Sequence, residues 1–280
     1  NQFTTVPNAG SDVHTPADWF HDASAFAAVG RSSLGDIEIS EDGKTLWIVN
    51  LYDRKLYSLS LNGTTQASAG AMSSGVTFPS PSDCPADPAT PSGELNRNVR
   101  PLALGMHRGV LHVGLTCTGE STGATTNLKG YVYAYDGATF SQKFSFPLNY
   151  PRTTAQRDEN WKVWTSVFPA SMPPAAGQGN YSIWPMPWLA DIEFDGDNLV
   201  LGIRDSGGDQ MGSFQGNTDT SNTNSYSIFA IGDILRACGI YGSWIFENNG
   251  SCGGITTSGA NNSDGPGNGE YYYQDTNGYP

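Results

Sequence analysis

The stretch LGDIEISEDGKTLWIVNLYDRKLYSLSL, residues 34–61, determines the predicted fold because its pattern occurs more than once in the chain. It reads as an apolar strand from Leu34 to Ile39, a tight turn, and a second strand from Thr45 to Asn50. A third strand follows, with apolar and polar residues in alternation. The second strand holds three consecutive apolar residues, Trp47 to Val49, so we expect neighbouring sheets to cover both of its faces.

Two further copies of this pattern follow along the chain. The first copy is RPLALGMHRGVLHVGLT at residues 100–116 with YVYAYDG at residues 131–137, and its turn is shorter. The second copy is LADIEFDGDNLVLGIRD at residues 189–205 with SIFAIGDILRA at residues 227–237. Three copies of strand, turn, strand, loop and strand are typical of a radial β repeat.

The predicted fold is therefore an all-β propeller with long loop insertions and little helix. A closed ring needs about four to eight blades, so we expect six or seven in the intact molecule, of which this chain supplies about half or more. The chain is either an incomplete piece or contains units that have diverged. The repeats are expected at about residues 31–63, 98–148 and 188–247, and the insertions at 64–97, 149–187 and 206–225.

Composition limits the classes of function. The 280 residues carry 14 basic and 27 acidic side chains, a formal net charge of −13. This charge repels phosphate backbones and argues against nucleic-acid binding. No run of 18 apolar residues exists, so we expect no membrane-spanning segment. The main helix candidate runs from Thr15 to Val29, with Pro16 at its first turn.

The four cysteines have no spacing typical of zinc or haem sites. Cys84 with Cys117, and Cys238 with Cys252, are the expected disulfides, which would place the chain outside the cell or on its surface. Four buried free thiols remain the alternative, because sequence alone does not establish connectivity.

The triplet Asp-Ile-Glu occurs at residues 36–38 and again at residues 191–193. Strand alternation puts the two carboxylates of each triplet on one side. If these strands are innermost, Asp36, Glu38, Asp191 and Glu193 approach a central channel, where they would repel one another unless solvated, protonated or neutralised by a cation such as Ca²⁺. The alternative is a latch, in which each Asp accepts hydrogen bonds from backbone amides of the next strand.

A second oxygen-rich segment begins at Asp205 and includes Asp209. It does not have the spacing of an EF-hand, although a calcium loop remains open. A metal-dependent hydrolase or lactonase built from the channel carboxylates also stays open. The sequence contains no GxSxG motif, and no other feature of it identifies a catalytic serine.

An insertion between the second and third repeats is rich in aromatic residues. Its aromatic side chains either close one end of the circle of blades or form a platform on which a sugar stacks, since sugar faces bury well against indoles. The tryptophans in question are Trp161, Trp164, Trp184 and Trp188.

Several sequence segments resemble the β-propeller region of large secreted bacterial surface proteins. In those proteins the propeller commonly precedes serine-aspartate-repeat B-type or other Ig-like modules. The segments are NAGSDVHTP, LGDIEISEDGKTLWIVNLYDRKLYSL, RPLALGMHRGVLHVGL, YVYAYDG and ADIEFDGDNLVLGIRDSGGDQ. The resemblance covers roughly residues 8–247, and the segment after Asp205 departs from it. It implies further units before and after this chain, and it brings no catalytic residues.

We therefore expect a non-enzymatic extracellular module for adhesion, surface display or filament assembly. Its partners would be other copies of itself or other surface proteins, since unpaired strand edges need covering. A carbohydrate-binding propeller that uses the Trp161–Trp188 insertion is the first alternative, and the metal-dependent hydrolase is the second.

Overall fold

The computed structural model describes residues 4–14, 17–61, 69–153, 158–172, 182–212, 214–273 and 275. Three antiparallel sheets dominate these residues, and helix is scarce: a 3₁₀ turn at Trp19–His21, α1 (Ala23–Ala28), a 3₁₀ turn at Thr125–Asn127, α2 (Ser206–Gln210) and a 3₁₀ turn at Pro266–Asn268. The expectation of an all-β chain with little helix is confirmed. No helix in these ranges has the length and apolar character needed to cross a membrane.

Unit 1 is the sheet encoded by the stretch at residues 34–61. Its strands lie in the order β1-β2-β3-β4, and a fifth short strand also pairs with β3. All pairs are antiparallel. The strands are β1 (Leu34–Ile39), β2 (Thr45–Asn50), β3 (Lys55–Leu61), β4 (Ala69–Met72) and β5 (Val76–Thr77).

Unit 2 is a four-stranded antiparallel meander in sequence order. Its strands are β6 (Val99–His107), β7 (Val110–Cys117), β8 (Lys129–Tyr135) and β9 (Phe140–Pro147). A short hairpin follows it, formed by β10 (Pro151–Thr153) and β11 (Asp158–Asn160).

Unit 3 repeats the four-stranded meander. Its strands are β12 (Pro187–Asp195), β13 (Asn198–Asp205), β14 (Asp233–Ile240) and β15 (Ser243–Phe246), and a last hairpin is formed by β16 (Ser251–Cys252) and β17 (Ile255–Thr256). The third strand was expected at residues 227–237, but it begins only at Asp233. The backbone of Ser227 instead bonds that of Ser182 in the insertion before unit 3.

The first strands of the three units lie side by side: β1 contacts β6, and β6 contacts β12. Each first strand has an irregularity in its register with the second strand, at Leu34/Ile37, Pro101/Leu104 and Leu189/Asp191. A Cβ on Gly105 would overlap the carbonyl oxygen of Ile192. This close approach of β6 and β12 explains the glycine at position 105.

Apolar layers fill the two spaces between neighbouring units. Leu104, Val113 and Tyr133 of unit 2 pack with Val49 and Leu56 of unit 1. The opposite side of unit 2 packs on unit 3 through a second apolar layer. The side chains of Ile48 and Val49 are both buried, so both faces of β2 are covered as predicted, and unit 2 is the neighbouring sheet on the Val49 face.

The helix expected from Thr15 to Val29 is shorter in the structure. Thr15 and Pro16 lie outside the described residues, and α1 starts only at Ala23, where Asp22 accepts a hydrogen bond from the amide of Ala25. The Asp22 side chain therefore takes the N-cap position, as short acidic side chains commonly do.

Both expected disulfides are present, and the four cysteines therefore leave no free thiol. Cys84–Cys117 ties the proline-rich segment before unit 2 to the end of β7. Cys238–Cys252 ties β14 to the last hairpin. Apart from the two short hairpins, the described ranges contain three sheets side by side, and these close no ring or barrel, so the propeller itself is not shown.

Candidate functional site

The carboxylates of the two Asp-Ile-Glu triplets gather where the first strands of the units meet. Asp36 uses both oxygens on backbone amides: Oδ1 accepts from Ile37 N at 2.8 Å, and Oδ2 accepts from Leu104 N at 2.8 Å. The second bond joins β1 of unit 1 to β6 of unit 2. Asp36 therefore makes the contact that the latch interpretation predicts, a hydrogen bond from a backbone amide of the neighbouring strand.

Burial, and to a smaller extent the charges of the second triplet, raise the pKa values of the two carboxyl groups in the first triplet. Burial raises the pKa of Asp36, with a further contribution from the charge of Asp191. Burial also raises the pKa of Glu38, to which the charges of Asp36, Glu193 and Asp191 add. The structure thus brings the four predicted carboxylates close enough to interact across two units.

Proximity alone does not make a metal site here. Within the described ranges, no group of three or more His, Cys, Asp or Glu side chains is arranged to hold a metal ion. Each oxygen of Asp36 already accepts a hydrogen bond from a backbone amide, so Ca²⁺ would have to compete with two hydrogen bonds for this carboxylate. The geometry therefore gives the Ca²⁺ interpretation no support at this position.

Asp205 is held in place by three backbone amides. It is buried and accepts hydrogen bonds from the amides of Met186, Gly207 and Ile231 at 2.8–3.2 Å. Burial raises its pKa to about 7. It caps α2, the short helix in the segment for which a calcium loop was considered.

Asp209 lies in the same short helix and pairs with Arg204, whose Nη2 is 2.5 Å from Asp209 Oδ1. The Arg204 side chain is exposed. Both residues border a cavity of about 380 Å³ at the meeting point of the first strands, which Asp36, Leu102 and Ala190 also line.

A larger cavity of about 940 Å³ adjoins the first one. It lies between the segment at residues 9–14, α1 and the segment after α2. On its rim, His14 Nδ1 is 2.8 Å from Asp22 Oδ2. No local motif in the sequence marks this cavity, because its walls come from segments about two hundred residues apart.

The tryptophans of the insertion mostly face the interior. Trp161, Trp164 and Trp188 are 0%, 2% and 4% exposed, and Trp164 meets Trp188 edge to face with ring centroids 5.2 Å apart. These three rings have no free face for a sugar, which favours the interpretation of the insertion as packing. Trp184 is partly buried, and the Lys162 ammonium lies 5.6 Å from its ring centroid.

Sequence reasoning also missed the most enclosed group of charges. Arg152 is fully buried, and its guanidinium reaches carboxylates on β14 and on the C-terminal segment. The ion pairs join it to Asp233, Asp264, Glu270 and Asp275, at 3.2–3.3 Å. Nothing in the local sequence indicates this group, since Arg152 and its partners are far apart along the chain.

Comparison with known proteins identifies relatives but no family. No family model matches the chain, and no solved structure matches it significantly. Three similar proteins of Dictyostelium discoideum are colossin-A, 30% identical over 188 residues, colossin-D, 29% identical over 189 residues, and colossin-B, 26% identical over 272 residues. The alignments cover 62%, 62% and 86% of this chain.

These alignments span only 1%, 16% and 6% of the lengths of colossin-A, colossin-D and colossin-B. The chain therefore corresponds to a small part of each relative. The resemblance to bacterial surface proteins is wrong, because the relatives found belong to a eukaryote. The repeated segments resemble that family through their short apolar strands and turns, and many unrelated β proteins share these features.

Proposed function

We propose that the chain is a non-enzymatic, extracellular part of a β-propeller that serves in adhesion, surface display or filament assembly within a much longer protein. In this proposal the three units are three blades of a ring of six or seven. The observation that carries the proposal is the repeated joint between units, in which the first strands lie side by side. At the joint between units 1 and 2, Asp36 also accepts a hydrogen bond from the Leu104 amide. Radial packing of four-stranded meanders is the principle of propellers.

Two further observations support an extracellular module. Both disulfides join segments that are separated in sequence, and disulfides persist mainly in oxidising compartments. The matched part of each colossin is a small fraction of that protein, as expected for one module among many.

The enzymatic and sugar-binding alternatives lack a comparable observation. Four of the six carboxylates proposed as metal ligands, Asp36, Glu38, Asp205 and Asp209, accept hydrogen bonds from backbone amides or pair with an arginine, and three of the four tryptophans proposed for sugar stacking are buried. Their chemistry is therefore that of assembly and packing, which is what a display or adhesion scaffold requires.

The architecture is tested by electron cryomicroscopy of the intact protein that contains this chain. We expect units 1, 2 and 3 to superpose on one another by rotation about a single axis. A map in which the three sheets share no rotation axis, for example as a sandwich, would contradict the propeller.

The role is tested on cells of the organism that makes the protein. An epitope tag in the exposed Glu41–Gly43 turn should be labelled by antibody on intact, unpermeabilised cells, and beads coated with the purified chain should adhere to those cells. Beads coated with chain that has been reduced and alkylated are the matched control, because the same sequence is then present without the fold. Equal adhesion of both bead types, or a tag reached only after permeabilisation, would contradict the role.

A further inference from the structure

Arg100 is a buried cation near the start of the first strand of unit 2. It lies on β6 opposite Thr116 of β7 and is only 7% exposed. Its Nε is enclosed and has no hydrogen-bond partner within the described residues. No carboxylate in those ranges forms an ion pair with Arg100 either. The fold therefore encloses a guanidinium without giving it a counter-charge.

The charges around Arg100 are mostly positive. Burial is the largest cause that lowers its pKa, to about 9, and the charges of Arg31, Arg54 and Arg97 lower it further. Glu120 is the acid that opposes them. Four of the 14 basic side chains thus gather at one place in a chain whose net charge is −13. Arg100 still carries its charge at pH 7.

Glu120 does not neutralise Arg100, because its carboxylate is bound elsewhere. Both of its oxygens accept hydrogen bonds from Arg31 Nη2, at 2.7 and 2.8 Å. Arg31 Nη1 donates to the carbonyl oxygen of Ala27, and its guanidinium lies 5.9 Å from the ring centroid of Trp164. Arg31 and Glu120 therefore form a fixed pair beside Arg100.

Arg54 is engaged in the same way. Its Nη1 donates to the carbonyl oxygen of Leu95 at 2.6 Å, and its Nη2 lies 3.1 Å from Glu94 Oε2. Arg97 differs from the other three arginines because it is exposed. The group thus contains two paired arginines, one exposed arginine and one buried arginine without an acid.

A buried charge without a partner is costly, since it has lost its hydration and gained nothing in exchange. Arg152 shows the usual solution, because four carboxylates surround it. Arg100 has the same burden without that solution. The planar fork of a guanidinium binds the oxygens of a carboxylate, sulfate or phosphate group in pairs, so a small oxyanion would supply what the chain does not.

We propose that Arg100 is the base of a binding site for a small oxyanion, a carboxylate, sulfate or phosphate group, and that Arg97 attracts this group at the entrance. The 7% exposure of Arg100 leaves room for a narrow approach only. A polyanion is excluded by the overall negative charge, which repels it more strongly than it repels a single small group. The inference goes beyond the proposed function and does not depend on how the units are arranged.

Thermal unfolding of the purified 280-residue chain tests the inference in sodium chloride, sulfate, phosphate and acetate at equal ionic strength. An anion that binds the folded chain raises Tm, and above its Kd each tenfold increase in concentration adds a similar step. We expect such a rise for at least one of the three oxyanions. Preference for acetate would identify a carboxylate site, and preference for sulfate or phosphate a site for a tetrahedral anion.

The variant Arg100→Met separates binding from the general effect of salts. Sulfate and phosphate also stabilise proteins by exclusion from their surface, and that part of the rise remains in the variant. The additional rise of the wild-type chain should be lost. Arg204→Met is the matched control, since the Arg204 side chain is 59% exposed and pairs with Asp209, and it should keep the additional rise.

Stability in chloride gives a second expectation. Arg100→Met should unfold at the same Tm as the wild-type chain or at a higher one, because an apolar side chain of similar volume replaces an unpaired buried charge. Equal responses of the wild-type chain and Arg100→Met to all three oxyanions would overturn the inference. A marked loss of Tm for Arg100→Met in chloride would also overturn it, since the guanidinium would then already be neutralised within the fold.

Isothermal titration calorimetry on the wild-type chain makes the test independent of any variant. We expect one site per chain for at least one of sodium acetate, sulfate and phosphate, and Arg97→Gln should weaken that binding without changing its stoichiometry. Absence of saturable binding for all three anions would overturn the inference. That result would leave the propeller proposal standing, because the joints between units do not involve this site.

Discussion

Arg152 Nη1 lies 3.3 Å from Asp233 Oδ1, and neither side chain has any exposed surface. Arg152 belongs to β10, just after unit 2, whereas Asp233 begins β14 of unit 3. Tyr150, two residues before Arg152, donates its hydroxyl proton to the other oxygen of Asp233 at 2.5 Å. The pair therefore fastens the chain between units 2 and 3, and through Asp264, Glu270 and Asp275 it also holds the C-terminal segment.

Replacing Arg152 with Met should strongly destabilise the fold. The change removes the positive charge that faces four buried or nearly buried carboxylates, and breaking a buried ion pair on one side costs about 3–5 kcal/mol. Chemical denaturation followed by tryptophan fluorescence measures the loss. Arg204→Met is the control: Arg204 pairs with Asp209 on the surface, where an ion pair contributes about 0–1 kcal/mol. Similar losses for both variants would contradict the role assigned to Arg152.

Stability should fall as pH rises from about 6.5 to 8.5. Burial raises the pKa of Glu247 to about 8 and that of Asp205 to about 7, so the folded chain holds protons that the unfolded chain releases. Folding is then favoured at the acidic end of this window and loses stability as pH approaches the folded pKa values. The free energy of unfolding measured across this window tests the sign, and a rise with pH would refute it.

The pH window starts at about 6.5 because, at lower pH, the titration of His112 makes stability rise with pH instead of fall. Burial lowers the pKa of His112 to about 4, so its contribution to stability grows as pH rises toward 6.5. Glu247→Gln cannot release a proton and should flatten the pH dependence above 6.5. Glu41→Gln, at an exposed turn, should leave the slope unchanged.

Removing the Asp36 carboxylate should weaken the joint between units 1 and 2. Asp36→Ala leaves the Leu104 amide without its acceptor at a partly buried position, a loss of about 1–3 kcal/mol. Glu41→Ala in the adjacent turn should cost less than about 0.5 kcal/mol, as is usual for exposed sites. Hydrogen exchange at the Leu104 amide gives an independent reading, since the Asp36 variant should expose that amide selectively. Unchanged protection there would contradict the latch.

Each disulfide should stabilise the fold, and the disulfide that closes the longer loop should contribute slightly more. Cys84 and Cys117 are 33 residues apart and Cys238 and Cys252 are 14 apart, and the entropy of loop closure predicts about 3–4 kcal/mol for each. Cys84→Ser/Cys117→Ser and Cys238→Ser/Cys252→Ser, compared by denaturation, test this. A negligible loss in both double variants would show that the unfolded chain is already constrained.

Local patterns were sufficient for part of this description. Alternation and apolar runs located strands such as β1 and β2 to the residue, because a half-buried strand needs a period of two and a doubly covered strand needs continuous apolar residues. The expected disulfides also form. By contrast, the third strand of unit 3 begins at Asp233 rather than at residue 227, since the preceding segment pairs with the insertion at Ser182.

Chain order and residue type thus established an all-β molecule with repeated strand hairpins and twinned acidic triplets, because period and turn chemistry are local properties. Tertiary structure alone decided that Asp36 bonds an amide of the next unit while Asp191 stays exposed, although the two triplets are identical. It also decided that Arg152 collects carboxylates from the far end of the chain. The reason is physical: the role of a charged side chain depends on which groups the fold brings within about 3–4 Å of it, and those groups are distant in sequence.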